Sequence, residues 1–145
     1  MDNLIAQRVA AAQANENPFV VTKMKSGWLV IGDVQPLMGY CVFLADAIVT
    51  SINHLSTSDL TQYSLDILRA GDALLEVTEA YRINYETLGN SEPALHTHII
   101  PRYASEADEK RKYPAMMMYS WKYAPKFDPT VHGEIVSKLR SFLNA

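Results

Sequence analysis

Residues 81–102 read Tyr81-Arg82-Ile83-Asn84-Tyr85-Glu86, then Thr87-Leu88-Gly89-Asn90-Ser91-Glu92-Pro93-Ala94, then Leu95-His96-Thr97-His98-Ile99-Ile100-Pro101-Arg102. The outer runs are rich in β-branched and aromatic residues and the middle is turn chemistry, which predicts two strands joined by a loop. Side chains two apart on a strand share a face, so His96 and His98 stand side by side while Leu95 and Thr97 point the other way. Histidine is scarce, with four in the chain, and two of them fall here. If the strands pair antiparallel, Asn84 reaches the same place. The loop adds Gly89, which lets a ligand approach backbone N–H groups, with Asn90 and Ser91 as side-chain donors.

Such a group suits a phosphoryl or nucleotidyl ligand. A neutral imidazole near pH 7 can attack phosphorus, and a second imidazole with amide and hydroxyl donors can stabilise charge on the non-bridging oxygens. A His-x-His pair alone fits packing or surface histidines equally well. A metal site needs a third ligand. The nearest carboxylates are Glu106, in a charged loop beyond Pro101, and Glu92, before Pro93. No metal is therefore expected.

Outward from this stretch the chain reads as an α+β fold. Residues 2–14 set Leu4, Ile5, Val9 and Ala12 on one side at helical spacing, with Gln7 and Arg8 off it. Phe19 to Met24 and Trp28 to Ile31 flank a Ser26-Gly27 turn and predict a hairpin. Asp33 to Gly39 is a loop leading to a third strand, Tyr40 to Leu44. A central helix follows, capped by Ser56 or Ser58, with Leu60, Tyr63, Ile67, Leu68, Leu74, Leu75 and Val77 as its stripe and Gly71 within it. The chain closes on a helix with Asp128 as N-cap and Pro129 at its first position, its stripe being Val131, Ile135, Leu139 and Phe142. His54 reads as a surface or cap residue, and His132 as solvent-facing. The run Glu109 to Lys112 reads as a solvated loop, and Met116 to Trp121 as too apolar to lie fully exposed.

Composition bounds the rest. One domain of 145 residues is expected, with 1–18 an N-terminal helix and 103–145 a C-terminal extension ending in a helix. Hydrophobic residues at 48% and charged ones at 20% are a globular balance, not a disordered one. A net charge of −3 gives no global basic field, so a nucleic-acid-coating protein is not expected. The single cysteine, Cys41, lies in an apolar run and reads as a buried thiol. No apolar run reaches membrane-spanning length and the N-terminus lacks a basic start and apolar core, so a cytoplasmic protein without membrane partners is expected.

The stretch from Asn84 to Arg102 resembles the signature of histidine triad (HIT) proteins. In that signature three histidines alternate with hydrophobic residues, and two more hydrophobics, often then Pro-Arg, follow. The arrangement is similar to the bacterial branch of diadenosine polyphosphate hydrolases. The resemblance implies an antiparallel five-stranded sheet with a central helix, no cofactor, a nucleotide or dinucleoside polyphosphate substrate, and a homodimer joining two sheets. By position it implies that His96 is the nucleophile attacking the α-phosphorus and that His98 contacts the phosphate. Asn84, Ser91 and the Gly89-Asn90 backbone match positions that bind the α-phosphate and bridging oxygen. Asp33 resembles the acid that takes the ribose hydroxyls, and reads equally as a solvated turn aspartate. Trp28, Val30 and Ile31 are candidates for the base pocket or for core.

Two departures stand out. The first triad histidine is Ala94, which removes a polar partner and leaves the tautomer of His98 less constrained. Glu92 would repel an anionic substrate unless it points away. The resemblance thus implies either a hydrolase or nucleotidyl transferase working through His96, or a purine-nucleotide binder with little turnover.

Overall fold

The computed structural model describes residues 3–145. Met1 and Asp2, where the expected N-terminal helix starts, lie outside them. Five strands form one antiparallel sheet: β1 (Val20–Met24), β2 (Gly27–Ile31), β3 (Cys41–Ala45), β4 (Arg82–Glu86) and β5 (His96–Arg102). Their order is β1-β2-β3-β5-β4, so the histidine strand lies inside the sheet and β4 forms an edge. The helices are α1 (Leu4–Gln13), α2 (Thr57–Val77), the short α3 (Asp108–Arg111) and α4 (Ala115–Met118), and α5 (Pro129–Leu143). The fold is α+β, as expected.

Both faces of the sheet are covered, which explains why β3 is apolar at every position instead of alternating. Leu29, Ile31, Phe43 and Ile99 face α2 and α5, packing against Tyr63, Ala70, Leu74 and Leu139. Val30, Val42, Leu44 and Ile100 point to the opposite face, where Ile5 and Val9 of α1 and Ala115 of α4 cover them. Caps begin the long helices as read: the Ser56 hydroxyl accepts the Asp59 N–H at 3.1 Å, and Asp128 accepts that of Thr130 at 2.9 Å.

Several helical faces differ from the expected stripes. Leu60, Leu68 and Leu75 are exposed, while Ala70, Gly71 and Ala73 are buried. Small residues face the sheet because α2 lies close upon it. A Cβ at Gly71 would fall 1.9 Å from the Tyr85 hydroxyl, so the tyrosine lies on the helix where the glycine leaves room. Leu4 is also exposed, leaving Ile5, Val9 and Ala12 as the buried side of α1. On α5, Val131 is exposed and His132 is buried, contrary to expectation. The His132 ring stacks on Phe127 at 5.7 Å, and its Nδ1 accepts the Asp128 N–H at 2.9 Å. The β1–β2 turn is Lys25-Ser26, since Met24 pairs with Gly27. Gly27 belongs to β2, where a Cβ would lie 2.1 Å from the Leu44 carbonyl oxygen. The run at 109–112 falls largely in α3, not in a loop.

Cys41 is buried and burial pushes its thiol up to about 12, so it stays protonated. No helix among the described residues is long and apolar enough to cross a membrane.

Candidate active site

Strand β5 sets His96, His98, Ile100 and Arg102 on the α1 side of the sheet. His98 lies opposite Val42 of β3 and Glu86 of β4, and His96 opposite Leu44. The two imidazoles are 5.1 Å apart between centroids and tilted by 74°. Behind them the Thr97 hydroxyl, fully buried, lies 2.6 Å from the Tyr63 hydroxyl and 2.7 Å from that of Thr87. This chain of hydroxyls ties α2, β5 and the loop after β4 together.

His96 is only 6% exposed. Its Nδ1 lies 2.6 Å from the Ala94 carbonyl. A carbonyl can only accept, so Nδ1 carries the proton, and in the neutral ring Nε2 keeps its lone pair. His98 Nδ1 is 2.7 Å from the Tyr40 hydroxyl, with the two rings nearly parallel. Burial, then the neighbouring His96, lowers the His98 pKa to about 4, so the ring is neutral at pH 7. Burial also raises the Tyr40 phenol, keeping it protonated.

A cavity of about 250 Å³ adjoins His96. Thr50, Ser51, Asn53, Thr87 and Gly89 are among its walls. Gly89 has φ +79°, a conformation that L side chains rarely adopt, and this holds the loop open over the cavity. Asn90 and Ser91 are exposed and do not line it. Asn84 shares the face of His98 and its Oδ1 accepts from Arg102 Nη1 at 3.0 Å. It lines a second hollow, of about 500 Å³, with Arg82, Lys112 and Tyr113.

Asp33 is neither a free acid nor a simple solvated turn. Its Oδ2 pairs with Arg8 Nη2 of α1 at 2.8 Å. The Glu92 carboxylate accepts the Leu4 N–H at 3.0 Å, so it points at the N-terminus of α1, where the helix dipole favours it. Ile31 faces the α2 layer, away from the histidines. The Trp28 indole donates to Asp46 at 2.8 Å. Among the described residues no cluster of three or more His, Cys, Asp or Glu side chains could hold a metal ion.

Three features escaped the sequence reading. Ala94 is 1% exposed and packs in the cluster that α1 covers. Tyr40 supplies a polar partner for His98 Nδ1. Alternation would have found Tyr40, since it falls two residues before Val42, which is opposite His98. The wall at 50–53 carries no such signal, because it reaches His96 only through tertiary packing.

His98 makes the fold pH-sensitive. Its pKa is about 4 in the fold against an ordinary 6.5, so as pH falls the unfolded chain takes up this proton first. Stability from this group is full above the ordinary value and is lost on the way down to the folded one. Allowing for partial exposure, the loss is on the order of 2 kcal/mol. Denaturant unfolding at about pH 7 and about pH 4.5 should show this drop in the wild type and a smaller one in His98→Gln. Equal drops would assign the effect to other groups.

No family model and no curated protein matches the chain. Solved structures do. A histidine triad protein from Bradyrhizobium japonicum is similar with a TM-score of 0.74 at 21% identity, over 90% of this chain and 93% of its own. One from Marinobacter aquaeolei gives 0.73 at 16%, over 95% and 93%. A hypothetical histidine triad nucleotide-binding protein from Sulfolobus tokodaii gives 0.73 at 11%, over 95% and 91%. The chain therefore has the fold of histidine triad proteins. The likeness takes in most of residues 103–145, which the sequence signature does not reach.

Proposed function

We propose that this chain is a histidine triad nucleotide phosphohydrolase or nucleotidyl transferase acting at the α-phosphate of a nucleotide or dinucleoside polyphosphate. The observation that carries the reading is His96 itself. Its Nδ1 proton is committed to the Ala94 carbonyl, so in the neutral ring Nε2 keeps its lone pair, and the residue lines a cavity walled by the Gly89 loop. In the first step Nε2 attacks the α-phosphorus. An N–P bond forms, the bond from phosphorus to the leaving group breaks, and the leaving group departs with the bonding pair and takes a proton from solvent. Water, or a second acceptor hydroxyl, then attacks phosphorus, breaks the N–P bond and returns the electron pair to Nε2. His98, neutral and adjacent, contacts the phosphate, and the Gly89 backbone on the cavity wall meets its oxygens. Asn84, Asn90 and Ser91, which the resemblance also implies, lie outside this cavity and would have to approach a bound phosphate from its rim.

Quenching a reaction with dinucleoside polyphosphate or nucleoside phosphoramidate in alkali, where N–P bonds survive, tests this. A nucleotidyl mass on the peptide carrying His96, with mononucleotide released, is the expected result. Turnover with no adduct under conditions that trap it would sink the covalent route.

A binding role without useful turnover is the second reading, and the Arg8–Asp33 pair favours it. A carboxylate held by a guanidinium is less free to take ribose hydroxyls. Calorimetric nucleotide binding with no product over hours would establish it. The homodimer proposed from the resemblance fits the uncovered β4 edge, with Tyr85 on β4 and Leu68 and Leu75 on α2 exposed nearby. Sedimentation should show a dimer that Leu68→Glu weakens; a wild-type monomer at high concentration would remove it.

A further inference from the structure

We propose that Tyr40 is a positioning residue that fixes His98 in the tautomer protonated on Nε2, the part left vacant by Ala94. The geometry is a hydrogen bond of 2.7 Å between the phenol, which is buried, and His98 Nδ1, whose ring lies nearly parallel to the phenol ring. Which atom donates is decided by what surrounds the phenol. The Trp121 ring meets Tyr40 edge-on at 5.4 Å. Its indole N–H is buried and has no hydrogen-bond partner among the described residues. Among the described residues the phenol hydroxyl has one hydrogen-bond partner, His98 Nδ1. A protonated Nδ1 would instead donate to the phenol oxygen and leave the phenol proton unpartnered at a residue only 3% exposed, which is costly.

Neighbouring imidazoles thus hold opposite tautomers. His96 presents a bare Nε2 and His98 presents an Nε2–H. One is arranged to attack phosphorus, the other to donate to a phosphate oxygen, and neither role is interchangeable with the other's proton placement. The usefulness of this division rests on the function proposed above; the tautomer itself does not.

The test therefore has an arm without substrate. In the ligand-free wild type, long-range ¹⁵N–¹H correlation of the histidine rings should show His98 Nδ1 as an unprotonated acceptor and Nε2 as protonated. In Tyr40→Phe, which keeps the ring against Trp121, the two nitrogens should move toward a mixture of tautomers. kcat should fall about 10- to 100-fold with KM nearly unchanged. A protonated Nδ1 in the wild type, or an unchanged spectrum or unchanged kcat in the variant, would overturn the proposal. If Tyr40→Phe does not fold, the wild-type spectrum decides alone. If the wild type proves inactive, the spectrum still decides, and only the catalytic reading falls.

Discussion

His96→Ala and His96→Asn are expected to remain folded and to lose at least about 100-fold in nucleotide turnover, roughly 2.7 kcal/mol of transition-state stabilisation. The loss is large because no other group can take over the attack. His98 is the nearest imidazole, but its Nδ1 is bonded to Tyr40, and its attack would have to start from a different place on the strand. If the Gly89 loop binds phosphate as proposed, it still does so in the variants, and KM should change much less than kcat. Asparagine preserves a polar group where Nδ1 meets the Ala94 carbonyl, so a shared loss in both variants points to the nucleophile and not to local collapse. His98→Ala should cost less, because removing a donor leaves the covalent route intact. Steady-state release of mononucleotide, with thermal unfolding as the control for folding, measures all three. A His96 variant keeping more than a tenth of the activity would show that phosphorus is attacked by something else.

The legible part of this molecule is the part where side-chain direction follows from strand period. Two histidines two residues apart share a face whatever surrounds them, and the register with β3 and β4 puts Asn84 on that face as well. The strands and the long helices were readable for a similar reason, since caps and β-branched runs act locally. Burial on the helices was less readable. On α2 the sequence offers more large apolar residues than one face can hold, and closeness to the sheet selects Ala70, Gly71 and Ala73 over Leu68 and Leu75. On α5 a local contact, the Asp128 N–H onto His132 Nδ1, draws into the core a residue that polarity alone places outside. The surroundings of the histidines were least readable. Tyr40 bonds His98, Thr50 shares a cavity with His96, and Trp121 packs on Tyr40, and each arrives by packing between elements, which no local pattern encodes. Glu92 shows the same thing in electrostatic form: read alone it repels substrate, and in the fold its charge serves the start of α1.

Arg102 carries the largest stability effect to be expected, and it connects the candidate site to the segment beyond it. Its side chain is 3% exposed and that of Glu106 4%. The guanidinium bonds both Glu106 oxygens, at 3.2 and 3.0 Å, the Asn84 Oδ1 at 3.0 Å, and the carbonyls of Tyr113 and Lys110 at 2.7 and 3.0 Å. Burial alone would raise the Glu106 pKa, but hydrogen bonds from Arg102, the Tyr119 hydroxyl and the Tyr103 N–H outweigh it and hold the carboxyl below its ordinary range. Arg102→Ala leaves that carboxylate, two carbonyls and the Asn84 amide without their partner. The expected cost is about 4 kcal/mol, or roughly 10 °C in Tm for a chain of this length. Glu106→Ala should cost somewhat less, because the guanidinium keeps its carbonyl partners. Replacing both, as Arg102→Met with Glu106→Met, should recover part of the loss, since two apolar side chains leave no unpaired buried charge. The sign with pH also follows. Glu106 has a depressed folded pKa, so its contribution is present above the ordinary carboxyl value and disappears as pH falls through the folded one. The stability gap between wild type and Glu106→Ala should therefore narrow in acid. Arg102→Ala should also raise KM by freeing the Asn84 amide to rotate away from the histidine face, an effect that Glu106→Ala produces only weakly because the Arg102–Asn84 bond survives. A stability loss below about 1 kcal/mol in Arg102→Ala would mean that water replaces the guanidinium's partners and that the cluster does not anchor this side of the sheet.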